Sequence, residues 1–173
     1  MESTIDFPAL WRIVSAQAHA PLWSHSVHGP DHWKRVEQNA VLLAIRTGAD
    51  VDVVRLFALF HDSRRMNDGY DKDHGQRGAA YASELRRTAY ALDDSRFELL
   101  EYACVWHTDE GHHDDPTIGT CWDADRLDLG RVGMIPDSAY MSTAFGKEIA
   151  ERGSIFEFLP DGWKNDPFWK DRP

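Results

Sequence analysis

A chain of 173 residues and 19.8 kDa is long enough for one well-filled core and too short for two independent ones, so a single domain spanning residues 1–173 is expected. With 42% hydrophobic and 28% charged residues and seven Trp, the composition is that of an ordered globular protein and argues against disorder. Nineteen basic against 29 acidic residues leave a formal charge of -10, which opposes binding of nucleic-acid polymers; a metal and a few arginines can still reverse the potential inside one pocket.

The opening MESTIDFPAL has no basic region followed by an apolar core, and the strongest apolar run is broken by Arg55, so neither secretion nor membrane insertion is expected and the expected location is the cytoplasm. From Asp31 to Arg46, Trp33, Val36, Val41, Leu43 and Ala44 recur at helical spacing, and Gly48 supplies a stop. Asp50 or Asp52 can cap a second helix through VDVVRLFALF to His61; apolar nearly all round, it should be central. The segment SRRMNDGYDKDHG reads as a surface loop. Helical patterns over Gly78 to Leu92 and Ser95 to His107 predict a hairpin turning near Asp93 and Asp94. After the polar loop DEGHHDDPT, a stripe of Ile118, Trp122, Asp125 and Leu129 predicts a further helix, and a last one should span about Ser138 to Glu151. The tail from Leu159 to Pro173 either packs over the domain as an irregular arm or buries its aromatics in a homodimer. Cys104 and Cys121 sit in helical patterns without metal-binding spacing, so both should be reduced core residues. Strand alternation is missing over any useful length, so the expected class is all-α.

Four polar side chains fall on these apolar stripes. His61 follows Val54, Phe57 and Ala58 at helical offsets, and His107 follows Leu100, Ala103 and Cys104 in the same way. His32 begins the stripe containing Val36 and Leu43, and Asp125 lies on the stripe of Ile118 and Trp122. Asp62, next to His61, closes the longest apolar run of the chain. One buried imidazole can be satisfied by a backbone hydrogen bond, but a converging set that includes carboxylates costs several kcal/mol unless a cation gathers it. Nitrogen and oxygen donors together suit Mn, Fe, Co, Ni or Zn, with Mg also compatible, and the lack of sulfur argues against a structural zinc knuckle.

In this set the sequence resembles the HD superfamily of metal-dependent phosphohydrolases, whose pattern is a His, an adjacent His-Asp pair and a distant Asp. The elements are HWKRV at His32 to Val36, His61-Asp62 after LFALF, and ADRL at Ala124 to Leu127, so the resemblance covers about Leu22 to Gly130. It implies a bundle of roughly five to seven helices. It also implies metal ligation by His32, His61, Asp62 and Asp125, and cleavage of a nucleotide or other small phosphate ester by attack of metal-bound water, with Asp62 also orienting that water. His74 and His107 occupy the chain order of ligands to a second metal, or orient other groups; one metal is expected and two are compatible. Arg64, Arg65 and Arg77 are candidates to hold the substrate phosphate, and Asp68, Asp73 and Asp123 to move a proton. Whether the target is a phosphomonoester or a diester stays open. A di-iron oxygenase and a non-enzymatic nucleotide-binding module are the rival readings. A second pair, His113-Asp114, lies in a polar loop and should be solvated. Gly29 and Pro30 rule out a continuous metalloprotease-like helix through HGPDH, which leaves His28 between a substrate contact and a surface or capping role.

Overall fold

A computed structural model describes residues 4–18 and 26–167. It is all-α: among the described residues there are seven α-helices and no strand. They are α1 (Phe7–Gln17), α2 (Pro30–Thr47), α3 (Val51–Phe60), α4 (His74–Leu85), α5 (Asp94–Trp106), α6 (Pro116–Arg126) and α7 (Ala144–Arg152), with short 3-10 turns after α6 and around α7. None of these helices is long and apolar enough to cross a membrane.

The central element is α3. Asp50 caps it by accepting the Val53 N–H at 3.0 Å, and Val53, Val54 and the run Leu56 to Phe60 are completely buried. Helix α3 packs against α2, α5 and α6, so its C-terminal end lies deep in the bundle. Its one internal charge, Arg55, is matched by Glu37 on α2 at 2.7 Å and lies over the Phe7 ring of α1 at 3.6 Å.

Three element boundaries differ from the sequence expectation. Helix α1 was not anticipated, although Asp6 accepts the Ala9 N–H at 2.9 Å and Pro8 occupies its first turn, a recognisable start signature. The helix expected over Gly78 to Leu92 begins earlier, at His74, and stops at Leu85. Arg87 there adopts φ 71°, its N–H donates to Tyr90 O at 2.6 Å, and the Tyr90 hydroxyl donates to the Ala82 carbonyl at 2.8 Å. These bonds replace the last helical turns with a compact loop that still buries Tyr90. The last helix starts at Ala144 rather than near Ser138. Asp123 takes the N–H groups of Ser142 (2.6 Å) and Thr143 (2.8 Å), which pins the chain in an extended approach before Thr143 caps the helix.

Two glycines set the position of α4. A Cβ at Gly75 would collide with the Cys104 carbonyl, and one at Gly78 with the carbonyls of Phe60 and His61. Helix α4 therefore lies directly against the C-terminal ends of α5 and α3, a distance only glycine permits.

Candidate metal centre

Three helix C-termini converge. His61 caps α3, His107 caps α5, and Asp125 belongs to the last turn of α6. Each such end carries unpaired carbonyls and the negative pole of the helix dipole, a field that favours a cation. The carbonyls also orient the rings. His61 Nδ1 faces Phe57 O and Ala58 O, both at 3.1 Å, and His107 Nδ1 faces Cys104 O at 2.7 Å. At the start of α4, His74 Nδ1 faces Asp71 O at 2.5 Å. On the first turn of α2, His32 Nδ1 meets the Asp128 carboxylate at 2.7 Å, and Arg35 holds that carboxylate in turn at 2.8 Å.

A nitrogen facing a carbonyl must carry the proton, so in the neutral ring the other nitrogen offers a lone pair. The Nε2 atoms of His32 and His61 nevertheless stand 3.2 Å apart, and those of His74 and His107 2.9 Å apart. Two lone pairs at such range repel unless a cation lies between them. About 3 Å is also the separation two nitrogens keep around one ion with bonds of about 2.1 Å.

Asp62 joins the two pairs. Its Oδ2 lies 3.6 Å from His32 Nε2, 3.7 Å from His61 Nε2 and 2.8 Å from His28 Nδ1. Its Oδ1 lies 3.3 Å from His74 Nε2, 3.8 Å from His107 Nε2 and 3.3 Å from Arg65. Asp125 Oδ1 completes the first group at 3.2 Å from His32 Nε2 and 3.8 Å from His61 Nε2. The donor atoms fall into groups compact enough to hold an ion: His28, His32 and Asp62; His32, His61 and Asp125; Asp62, His74 and His107.

The electrostatics agree with this division. Burial raises the Asp62 carboxyl, but the imidazoles of His61, His107, His28 and His32 outweigh it and hold its pKa well below the usual carboxylate range. Asp125 is held low in the same way, against its own burial, by His32, His61 and His107. Burial pushes His61 down to about 3 despite Asp62 and Asp125. Burial and then His107 lower His74. His32 and His107 also lose solvation, yet the carboxylates beside them, Asp125 and Asp128 for one and Asp62 for the other, raise their pKa on balance. In each facing pair one imidazole is thus raised and the other lowered.

The donor set fits a divalent ion of intermediate hardness: imidazole nitrogens and carboxylate oxygens, with no thiolate. Cys104 and Cys121 are free, buried thiols whose pKa burial pushes up, as expected of reduced core residues.

Of the residues singled out in the sequence, His32, His61, Asp62, His74, His107 and Asp125 come together in this cluster. Arg65 adjoins it. Arg64 does not: its guanidinium lies 3.6 Å from the Tyr81 ring centre, and it donates to Gln17. Arg77 donates to Asp71 at 2.6 Å and to the Arg64 carbonyl, and so reaches the cluster only through Asp71, whose own carbonyl holds the His74 ring. The three aspartates considered for proton transfer also lie elsewhere: Asp123 anchors the approach to α7, Asp68 accepts a bond from Ser26, and Asp73 is exposed at the start of α4. His113, expected in solvent, is partly buried between the rings of Tyr102 and Trp122, whereas Asp114 is exposed. His28, left open in the sequence, belongs to the cluster. Two residues were missed altogether. Asp128 holds His32, and Arg131 brings its guanidinium within 3.4 Å of His28 Nδ1 and 3.6 Å of Asp128 Oδ2.

No family profile and no curated protein matches the chain. Among solved structures it is similar to one described as a predicted HD superfamily hydrolase from an uncultured Thermotogales bacterium, with 27% identity over 86% of this chain and 83% of that one and a TM-score of 0.63. This likeness, the all-α bundle and the order His32, His61-Asp62, Asp125 identify the chain as an HD-domain protein.

Proposed function

We propose that the protein is a cytoplasmic, single-domain, metal-dependent phosphohydrolase that cleaves a nucleotide or another small phosphate ester. The observation that carries this reading is the arrangement across Asp62, where each carboxylate oxygen faces a pair of imidazoles whose Nε2 lone pairs point at one another. The similar structure is described as a hydrolase, which supports the class.

His32, His61, Asp62 Oδ2 and Asp125 would hold one ion; Asp62 Oδ1, His74 and His107 would hold a second. One position is the sequence expectation, and this geometry supports two. A divalent ion of the Mn, Fe, Co, Ni or Zn kind supplies Lewis acidity, polarising a phosphoryl oxygen and lowering the pKa of a water it holds. The protein's own groups do the rest. Asp128 and Arg35 keep His32 in the tautomer that presents Nε2. Arg65 and Arg131 bring guanidinium charge beside the cluster while holding the main-chain carbonyls of Asn67 and Gly69 and of Val27 and Asp128, so they would offset the charge of a phosphoryl group from fixed positions. The His28 ring is fixed neither by a main-chain carbonyl, as those of His61, His74 and His107 are, nor by the Asp128–Arg35 pair that holds His32, and its side chain keeps 18% of its exposure. It is therefore the group placed to carry a proton between Asp62 Oδ2 and a leaving oxygen.

The test is elemental analysis of the purified protein, followed by phosphate release from mono-, di- and cyclic nucleotides with Mn, Co, Ni and Mg compared. Metal-dependent phosphate release supports the reading; a metal-loaded protein that releases none contradicts it. The His74–His107 pair also meets the requirement of a histidine-rich two-iron oxygenase. Bound iron with oxygen uptake and no phosphate release would favour that reaction instead.

A further inference from the structure

We infer that the cavity beside His107 and Asp125 receives the organic part of the phosphate ester, and that this part is an uncharged ring bearing an amino group, such as an aminated nucleobase. The inference rests on the phosphohydrolase reading above and deepens it.

Two cavities of similar size flank the cluster. One, of about 640 Å³, lies beyond Asp128 and is lined by none of the six ligand-type residues. The other, of about 630 Å³, has His107 and Asp125 in its wall and so continues directly from the cluster. Its size suits a small organic ligand.

The chemistry of the second cavity is lopsided. Leu129, Met134, Ile135, Tyr140 and Met141 give it apolar and aromatic surface. Met134, Ile135 and Tyr140 are large side chains left exposed at its rim, Ile135 at 86%, and a flat ring laid on them would cover that surface. Its carboxylates are Asp109, Glu110 and Asp137, together with Asp125 where the cavity meets the cluster, beside the imidazole of His107. Among the described residues Arg126 is the one arginine or lysine in its lining, and it is engaged with main-chain carbonyls: Glu110 O at 2.6 Å, Tyr140 O at 2.7 Å and Gly111 O. It fastens the two loops that form the walls and has little donor capacity left for an anion.

Carboxylates only accept hydrogen bonds. Glu110 already takes the Tyr102 hydroxyl, and one oxygen of Asp137 takes the Ala139 N–H. The Asp109 carboxylate has no hydrogen bond or ion pair among the described residues and is exposed at the cavity edge. An exocyclic amine finds acceptors here, whereas a carbonyl at the same ring position sets acceptor against acceptor, and a second phosphate meets like charge. The same field disfavours nucleoside diphosphates as substrates.

The experiment uses two substrate pairs that differ only at amino against carbonyl: cytidine and uridine 5′-monophosphates, and adenosine and inosine 5′-monophosphates. Phosphate release by the Mn-loaded protein should show KM lower by roughly tenfold for the aminated member of at least one pair, and adenosine diphosphate should be a poor substrate. Asp109→Asn should raise KM for the aminated member several-fold, narrow the preference and leave kcat nearly unchanged. Calorimetry of metal-free protein with cytidine, uridine, adenosine and inosine reads the cavity without chemistry, and the aminated nucleoside should bind more tightly. Equal KM within both pairs, diphosphate turned over as well as monophosphate, or an Asp109→Asn variant with unchanged preference would overturn the cavity assignment while leaving a phosphohydrolase. Selective nucleoside binding with no phosphate release from any ester would keep the cavity assignment and overturn the hydrolase reading.

Discussion

His74 Nε2 stands 2.9 Å from His107 Nε2, and each ring faces a main-chain carbonyl with its other nitrogen, Asp71 O for one and Cys104 O for the other. The two side chains come from α4 and α5, 33 positions apart in the chain, and are brought together by the close approach that Gly75 and Gly78 allow. Neither ring can relieve the contact without breaking its carbonyl bond.

Two separable ion positions are expected. His74→Ala or His107→Ala should remove the second ion and leave the first, whereas Asp62→Ala, which touches both, should remove both while the far-ultraviolet helical signal largely survives. Metal-to-protein ratios by elemental analysis distinguish these cases. An Asp62→Ala chain that binds as much metal as the parent contradicts the assigned ligands.

Asp128 acts through His32. Asp128→Asn keeps the shape but loses the charge that fixes the ring, so metal affinity should fall by roughly 10- to 100-fold. Competition with a fluorescent chelator measures this directly; an unchanged affinity would mean that Asp128 does no more than pair with Arg35.

Gly78→Ala tests the packing that creates the second position. The added methyl collides with the Phe60 and His61 carbonyls, so α4 must retreat, at a cost of about 1–3 kcal/mol of stability. Chemical denaturation reads the loss, and the metal-to-protein ratio should fall toward the value for His74→Ala.

Much of this centre is legible in the sequence, and the reasons are local. His32, His61, His107 and Asp125 stand at helical offsets from apolar residues, so one period places them inward, and Asp62 closes the most apolar run of the chain. His28 and Asp128 escape that logic. His28 precedes the Gly29-Pro30 break that starts α2, and Asp128 lies past the end of α6, so neither shares the period of a helix. Asp128 reaches His32 across 96 positions, a relation fixed by α2 packing on α6 rather than by any short motif. The arginines mislead for a related reason. Arg64, Arg65 and Arg77 look alike as loop charges, but Arg64 and Arg77 are claimed by Tyr81 and Asp71, partners visible only after folding.

Asp50 gives the pH dependence. Burial raises its carboxyl, but the paired bonds from Arg96 at 2.7 Å and the Val53 N–H lower it on balance. A carboxyl held below its unfolded value adds stability above the unfolded pKa, and that stability is lost as pH falls through the folded pKa. Asp50→Asn keeps the cap and removes the charge, so it should cost about 1 kcal/mol near neutrality and almost nothing once the pH has fallen through the folded pKa. Urea unfolding at several pH values reads the difference; a gap independent of pH contradicts the charge assignment.

His113→Ala tests which His-Asp pair matters. His113 packs on Tyr102 and Trp122 and, among the described residues, has no bond to the cluster, so the change should cost about 1 kcal/mol of stability and leave metal content and phosphate release intact. Loss of metal in this variant would mean that the wrong pair had been assigned.

The most direct measurement is calorimetric titration of metal-free protein with Mn²⁺, run in parallel on Asp62→Ala. The account predicts saturable binding approaching two ions per chain, with both sites abolished in the variant; a chain that binds no ion, or a variant that binds like the parent, contradicts it.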